Sequence, residues 1–259
     1  MNEILLAMPY FLLVLVRISS FFIVAPLFSM RGVPAQFKIG LAVFLSMLAL
    51  SALTISEPLP LDSNYIFMII KEFAIGISLG FTAALVLYTV QIAGAFIDFQ
   101  MGFAMASVMD PQTGSQVPII GHFKYILALL FLLMVDGHHL MLDGIMQSLR
   151  MIPVDSLSFD IGFEDLARFI SDLFVEMFIV AVQISLPIVG ALFLVDVALG
   201  ILAKTVPQLN IFAVGFPVKI LVGFALLMFS MPFFFYLLQV LFEEIMVSMA
   251  ELARLIGGA

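Results

Sequence analysis

Long apolar runs separated by short polar breaks organise this chain from end to end. The runs extend from Ile4 to Phe28, Phe37 to Ile55, Phe73 to Ile97, Ile119 to Val135, Leu173 to Ala203 and Ile211 to Phe242. A helix that crosses a bilayer needs about 20 mostly apolar residues. The pattern therefore predicts about six long hydrophobic helices and an all-α fold. Pro187, Pro217 and Pro232 fall inside the two longest runs. A proline there removes a backbone donor and kinks the helix, so kinked hairpins are expected. Arg31-Gly32-Val33-Pro34 reads as a turn, Glu57-Pro58-Leu59-Pro60 as a stop, and Met109 to Ser115 as a polar loop closed by Pro118. Glu3 stands where a cleavable signal would begin with positive charge and Arg17 interrupts the first run, so this helix is expected to stay in the mature protein.

Between Asp136 and Glu176 the pattern changes. Eight of the 18 acidic residues lie there, and Met141, Ile145, Leu149 and Ile152 recur at helical spacing with His138, Asp143 and Gln147 on other faces. A solvated amphipathic connector is the expected structure.

Composition sharpens this picture. Of the 259 residues, 64% are hydrophobic and 11% charged, with mean hydropathy +1.24. Soluble domains carry about a quarter charged residues, which excludes an ordinary soluble enzyme. A net charge of −8 with ten Lys and Arg argues against nucleic acid as a partner. The absence of cysteine removes thiolate and disulfide chemistry.

Three features fit poorly with a self-sufficient membrane protein. With loops on alternating sides, Arg31, Lys38 and Lys204 face Lys71, Arg150, Arg168 and Arg254, a balance that sets no orientation. Arg17, Lys124, Asp196 and Lys219 lie inside apolar runs, where each charge costs about 2.5–3.5 kcal/mol unless it meets protein or water. Tryptophan, a usual part of interfacial belts, is missing. Helices that bury apolar surface against other protein chains meet all three conditions, so partner subunits are implied.

Candidate chemistry is sparse. Asp136, His138, His139 and Asp143 form the one His/acid cluster, and His139 and Asp143 share a helix face as paired metal ligands do. The general-base carboxylate of a zinc hydrolase motif is missing, so a turn with Asp136 capping a helix is the expectation and no metal site is assigned. No nucleophile elbow or phosphate-cradling loop is present, which points away from catalysis and from a cofactor. Gly76 and Gly80 form a G-x-x-x-G pair suited to close helix packing. Asp98 and Gln100, at the end of a long apolar run, either reach water at a helix terminus or line an aqueous path. The segment from Ala203 to Lys219, with Lys204, Gln208 and Asn210, reads as the turn of a tight helical hairpin.

Ordered motifs add a family resemblance. Arg17, Ser19 and Pro26, then Val33-Pro34-Ala35, then Gly94-x-x-x-Asp98-x-Gln100-x-Gly102 with Asp110-Pro111-Gln112, then Gly137-His138, resemble the flagellar biosynthetic protein FliR family. So does Leu199-Gly200 followed by Pro207-Gln208-Leu209-Asn210-Ile211-Phe212 and Gly215-Phe216-Pro217. The matches run in family order from residue 17 to beyond 210. The resemblance extends to the SctT family of injectisomes.

It implies a non-enzymatic subunit of a type III secretion export gate, a single export-gate domain within a helical, membrane-associated assembly. Its residues 1–170 would be FliP-like and 171–259 a FliQ-like hairpin. The implied partners are FliP and FliQ subunits, FlhB and FlhA, unfolded flagellar substrates and the lipid bilayer. The implied place is the bacterial inner membrane, within the flagellar basal body. The segment from about Met105 to Gly121 would carry a channel plug centred on Met109, Asp110, Pro111, Gln112, Thr113, Gly114, Ser115 and Gln116. Arg17, Asp98, Gln100, Lys204, Gln208, Asn210 and Lys219 are the polar residues expected to be buried or to contact neighbouring subunits. A multi-span secondary transporter is the alternative, since broken helices and buried charges suit that class too.

Overall fold

A computed structural model describes residues 2–30, 32–52, 59, 62–103, 118–156, 162–208 and 210–258. Among these residues there are seven helices and no strand: α1 (Asn2–Val24), α2 (Ala35–Ala52), α3 (Ser63–Met101), α4 (Ile119–Met134), α5 (Gly137–Met151), α6 (Phe163–Thr205) and α7 (Ile211–Gly257). The all-α expectation is met. The seventh helix is α5, in the stretch expected to be a solvated connector. Its Met141, Ile145 and Leu149 are buried, because the i, i+4, i+8 stripe that made it amphipathic gives it a face to bury.

Among the described residues four helices are long and apolar enough to cross a membrane: α1, α3, α6 and α7. Counting α4 and α5 together as one broken span gives five, and α2 is a shorter apolar helix. About six long hydrophobic helices were expected, and among the described residues there are seven helices, of which four or five are candidate spans. The helices also run further than their apolar runs. α3 has 39 residues, α6 has 43 and α7 has 47, so each is about 58–70 Å long, well beyond a hydrocarbon core of about 30 Å. The extensions are polar turns the apolar pattern could not claim, including Lys71 and Glu72 in α3 and Glu164 to Arg168 in α6, where an i, i+4 ion pair of 2.6 Å supports the helix.

The described residues group into two compact units. The first comprises residues 1–86, 132–173 and 242–259, and the second residues 87–131 and 174–241. In the first, α1 packs against α2 and α6 of the long hairpin is represented only by its opening turns. The core of this unit includes Leu13, Val14, Ile18, Phe21, Ile75 and Leu79, all completely buried. The G-x-x-x-G pair of α3 works as its spacing suggests. A Cβ on Gly76 would overlap Ser20 Oγ and the Arg17 carbonyl, and one on Gly80 would lie 2.9 Å from the Phe21 carbonyl oxygen. The backbones of α1 and α3 are therefore in direct contact.

In the second unit the end of α3, the start of α4 and the middle of the α6–α7 hairpin enclose a core of Ile97, Met101, Ile120, Ile188, Leu192 and Leu227. Glycine again sets the spacing. A Cβ on Gly121 would lie 2.7 Å from the Gln91 carbonyl oxygen, and one on Gly94 would overlap Gly121 itself.

Candidate functional site

The polar residues of the second unit gather where α3 ends and α4 begins. Asp98, 4% exposed, accepts the backbone N–H groups of Ile120 and Gly121, each at 3.1 Å. These belong to the first turn of α4, whose leading N–H groups have no partner within the helix. A carboxylate at the positive end of the helix dipole is favourable. One half-turn further, the Gln100 amide donates to Asp196 Oδ2 on α6 at 2.8 Å. Asp196 also receives the Lys219 ammonium of α7 at 2.9 Å. The Asp196 carboxylate thus joins three helices. Gly102, at φ +90°, ends α3 in the left-handed conformation glycine tolerates. A side chain there would press into the Phe216 ring, 2.5 Å from a Cβ.

The first unit holds a second polar cluster, and it is almost dry. Arg17, Lys71 and Glu72 are 0%, 3% and 0% exposed. The Arg17 guanidinium grips Glu72 through Nε and through Nη2 at 3.0 Å, and also donates to Ser148 Oγ at 3.3 Å and the Ile152 carbonyl at 2.9 Å. Lys71 shares Glu72 Oε1 with the Arg17 Nη2 group at 3.1 Å and donates to the carbonyls of Pro153 and Ser156 at 2.8 and 2.7 Å. Two cations and one anion therefore pin the C-terminal end of α5, where the helix dipole favours positive charge.

In both clusters the charged groups are occupied as structural donors and acceptors. They are arranged as pins between helices.

A family model described as bacterial export proteins, family 1, matches residues 8–245. The chain belongs to that family. A flagellar biosynthetic protein FliR of Bacillus subtilis (strain 168) is 48% identical over 257 residues, covering 99% of both chains. One of Pectobacterium carotovorum subsp. carotovorum is 32% identical over 244 residues, covering 92% of this chain and 90% of that one. The Yop proteins translocation protein T of Yersinia pestis is 26% identical over 210 residues, 80% of each chain. The chain is thus a helical membrane protein of a bacterial export family, with relatives named for flagellar biosynthesis and for translocation of Yop proteins.

Within this export-family chain the residues expected to carry function are placed unevenly. Asp98 and Gln100 come together with Asp196 and Lys219 in the second unit, and Arg17 is buried in the first. Arg17 and Lys219, expected to be buried or to contact neighbouring subunits, are bonded within the chain to Glu72 and Asp196. Lys204, Gln208 and Asn210 are exposed. Asn210 caps α7 by accepting the Ala213 N–H at 3.3 Å, so the hairpin turn is a surface feature of the single chain. Met109, Asp110, Pro111, Gln112, Thr113, Gly114, Ser115 and Gln116 lie outside the described residues.

The His/acid cluster differs from the sequence expectation. Asp136 occupies the position before α5 at φ 56° and its side chain makes no capping bond, because the left-handed backbone departs from the extended geometry a side-chain cap needs. Asp136, His138 and His139 bring their ligand atoms within 4.8 Å of one another, whereas Asp143 is outside this group. Asp136 and His139 are mostly exposed.

Glu72, Lys71 and Ser148 were not among the candidates. The signal available for Glu72 was indirect. A buried Arg17 requires an anion, and Glu72 is the acid that opens the third apolar run.

Proposed function

We propose that this chain is a structural, channel-forming subunit of the flagellar type III secretion export gate. It completes a ring of FliP and FliQ subunits in the bacterial inner membrane, at the flagellar basal body. Its first 170 residues act as the FliP-like part and residues 171–259 as the FliQ-like hairpin. FlhB and FlhA associate with the ring, and unfolded flagellar subunits pass through it. Residues 109–116 plug the channel until substrate arrives. The role is passive and not enzymatic, with transport energy supplied by other components.

The observation that carries this reading is the match to FliR of Bacillus subtilis across the full length of both chains. Two structural features support it. Helices about 58–70 Å long outreach a bilayer, as a subunit seated in a protein assembly can. The α6–α7 hairpin also exposes Phe193, Leu194, Phe212, Leu221, Met228 and Phe229, more apolar surface than a monomer in water leaves uncovered.

The deciding experiment is purification of the tagged chain from native membranes in mild detergent, followed by native mass spectrometry. A discrete heteromer with FliP- and FliQ-like subunits is expected. A clean monomer or homodimer would overturn the reading in favour of a transporter.

A further inference from the structure

The turn before α5 gathers two of the three histidines of the chain with one carboxylate. Asp136 stands in the left-handed conformation at φ 56° and leaves α5 without a side-chain cap. Its carboxylate faces His139 instead, with Oδ1 3.6 Å from Nδ1. That distance is too long for a hydrogen bond. The His138 and His139 rings lie side by side, centroids 4.1 Å apart. His138 Nδ1 is buried and has no hydrogen-bond partner among the described residues. Buried polar atoms almost always have one, and an ion is among the partners that serve. Gly137, between Asp136 and His138, packs so tightly on Leu132 that a Cβ would lie 2.5 Å from its side chain, which fixes the turn. Spacing along the sequence pairs His139 with Asp143, whereas the fold pairs it with Asp136.

We propose that Asp136, His138 and His139 form a binding site for a divalent transition-metal cation of the zinc type. Two imidazole nitrogens and one carboxylate oxygen suit such an ion better than magnesium or calcium, which take oxygen ligands. In a tetrahedral site, bonds of about 2.0–2.1 Å put ligand atoms about 3.4 Å apart. The three ligand atoms here lie within 4.8 Å of one another, and the exposed Asp136 and His139 side chains are free to close the difference. The positive end of the α5 dipole opposes a cation. The Asp136 carboxylate offsets it with a full negative charge at the site. Three protein ligands leave the fourth position to water. The ion ties the turn to the opening of α5, a role independent of the export-gate reading.

The test uses the full chain, purified in detergent with a histidine-free tag and stripped with chelator. Zn2+ alone is the probe, read by equilibrium dialysis with elemental analysis and by melting temperature. One Zn2+ per chain is expected, with a higher melting temperature because the ion binds the folded chain. His138→Ala and His139→Ala should each weaken binding at least about tenfold, the least that losing even an outer partner of a metal ligand costs. Both should abolish the rise in melting temperature. Asp136→Asn, which tolerates the left-handed backbone, should weaken binding by a similar factor. His122→Ala, at the third histidine, and Asp143→Asn should leave binding unchanged. Substoichiometric Zn2+ in the parent chain would overturn the proposal, as would binding unmoved by His139→Ala and Asp136→Asn, or lost in Asp143→Asn. If His138→Ala does not fold, His139→Ala and Asp136→Asn decide, since both positions are exposed.

Discussion

Arg17 and Glu72 stand 55 positions apart, are both completely buried, and form a two-pronged ion pair at the heart of the first unit. The pair is one side of a triangle, since Lys71 binds the same carboxylate. Burying two cations with one anion leaves an excess positive charge. The carbonyls of Ile152, Pro153 and Ser156 offset it by accepting from the two cations. The arrangement ties α1 and α3 to the end of α5, and each member depends on the others for its desolvation to be tolerable.

That dependence predicts an unequal response to substitution. Glu72→Ala leaves two buried cations facing each other and should cost about 3–5 kcal/mol, the range for breaking a buried pair from one side. Lys71→Ala leaves the Arg17–Glu72 pair intact and should cost less. Thermal unfolding of the detergent-solubilised chain measures both, and equal losses would contradict the shared-carboxylate description.

Glycines predict a contrast between sites. Gly121→Ala places a methyl group 2.7 Å from the Gln91 carbonyl oxygen and should destabilise by about 1–3 kcal/mol through overpacking. Gly190→Ala meets nothing within 4 Å and should leave stability unchanged or raise it by up to about 1 kcal/mol, the helix propensity difference. The same melting measurement separates them.

How much of this was legible beforehand depends on the range of the interaction. The cores of α1, α3, α4, α6 and α7 follow from apolar runs, because burial by segment is a local property of sequence. Helix ends were misplaced where polar residues continue a helix by finding partners elsewhere. Lys71 reads as a loop charge, yet it sits inside α3 with Glu72, where Arg17 and the carbonyls of Ile152, Pro153 and Ser156 complete the cluster. The buried face of α5 was visible as a stripe, but what it packs against was not. At the site, Asp98 and Gln100 stood out as polar residues closing an apolar helix. Their partners Ile120, Gly121 and Asp196 lie 22 to 96 positions away, and only the fold brings them together.

Asp196 predicts a rescue. Its carboxylate is 40% exposed and its partner Lys219 18%, so the pair is partly screened and worth about 1 kcal/mol or less. Asp196→Lys alone sets two ammonium groups together and should lower stability and export-dependent motility. Combining it with Lys219→Asp should recover at least half of the loss. Gln100 can follow the swap, because its amide offers an acceptor oxygen as well as a donor. Motility on soft agar and a double-mutant cycle of melting temperatures check both parts.

Lys124 carries the last prediction. It is 2% exposed, its Nζ lies 4.6 Å from the centroid of the Phe234 ring, and no ion pair among the described residues includes it. Two effects oppose each other. A desolvated cation over an aromatic face gains about 2 kcal/mol, while burying an ammonium costs several. Desolvation wins, so Lys124→Met, of similar length and without charge, should stabilise the chain by about 1–3 kcal/mol. Phe234→Ala should do the opposite, losing about 3–5 kcal/mol of core packing and leaving the cation bare. In the Lys124→Met background the cost of Phe234→Ala should shrink by the cation–π share alone. A loss of stability in Lys124→Met would mean that the ammonium is held by a partner stronger than the Phe234 ring.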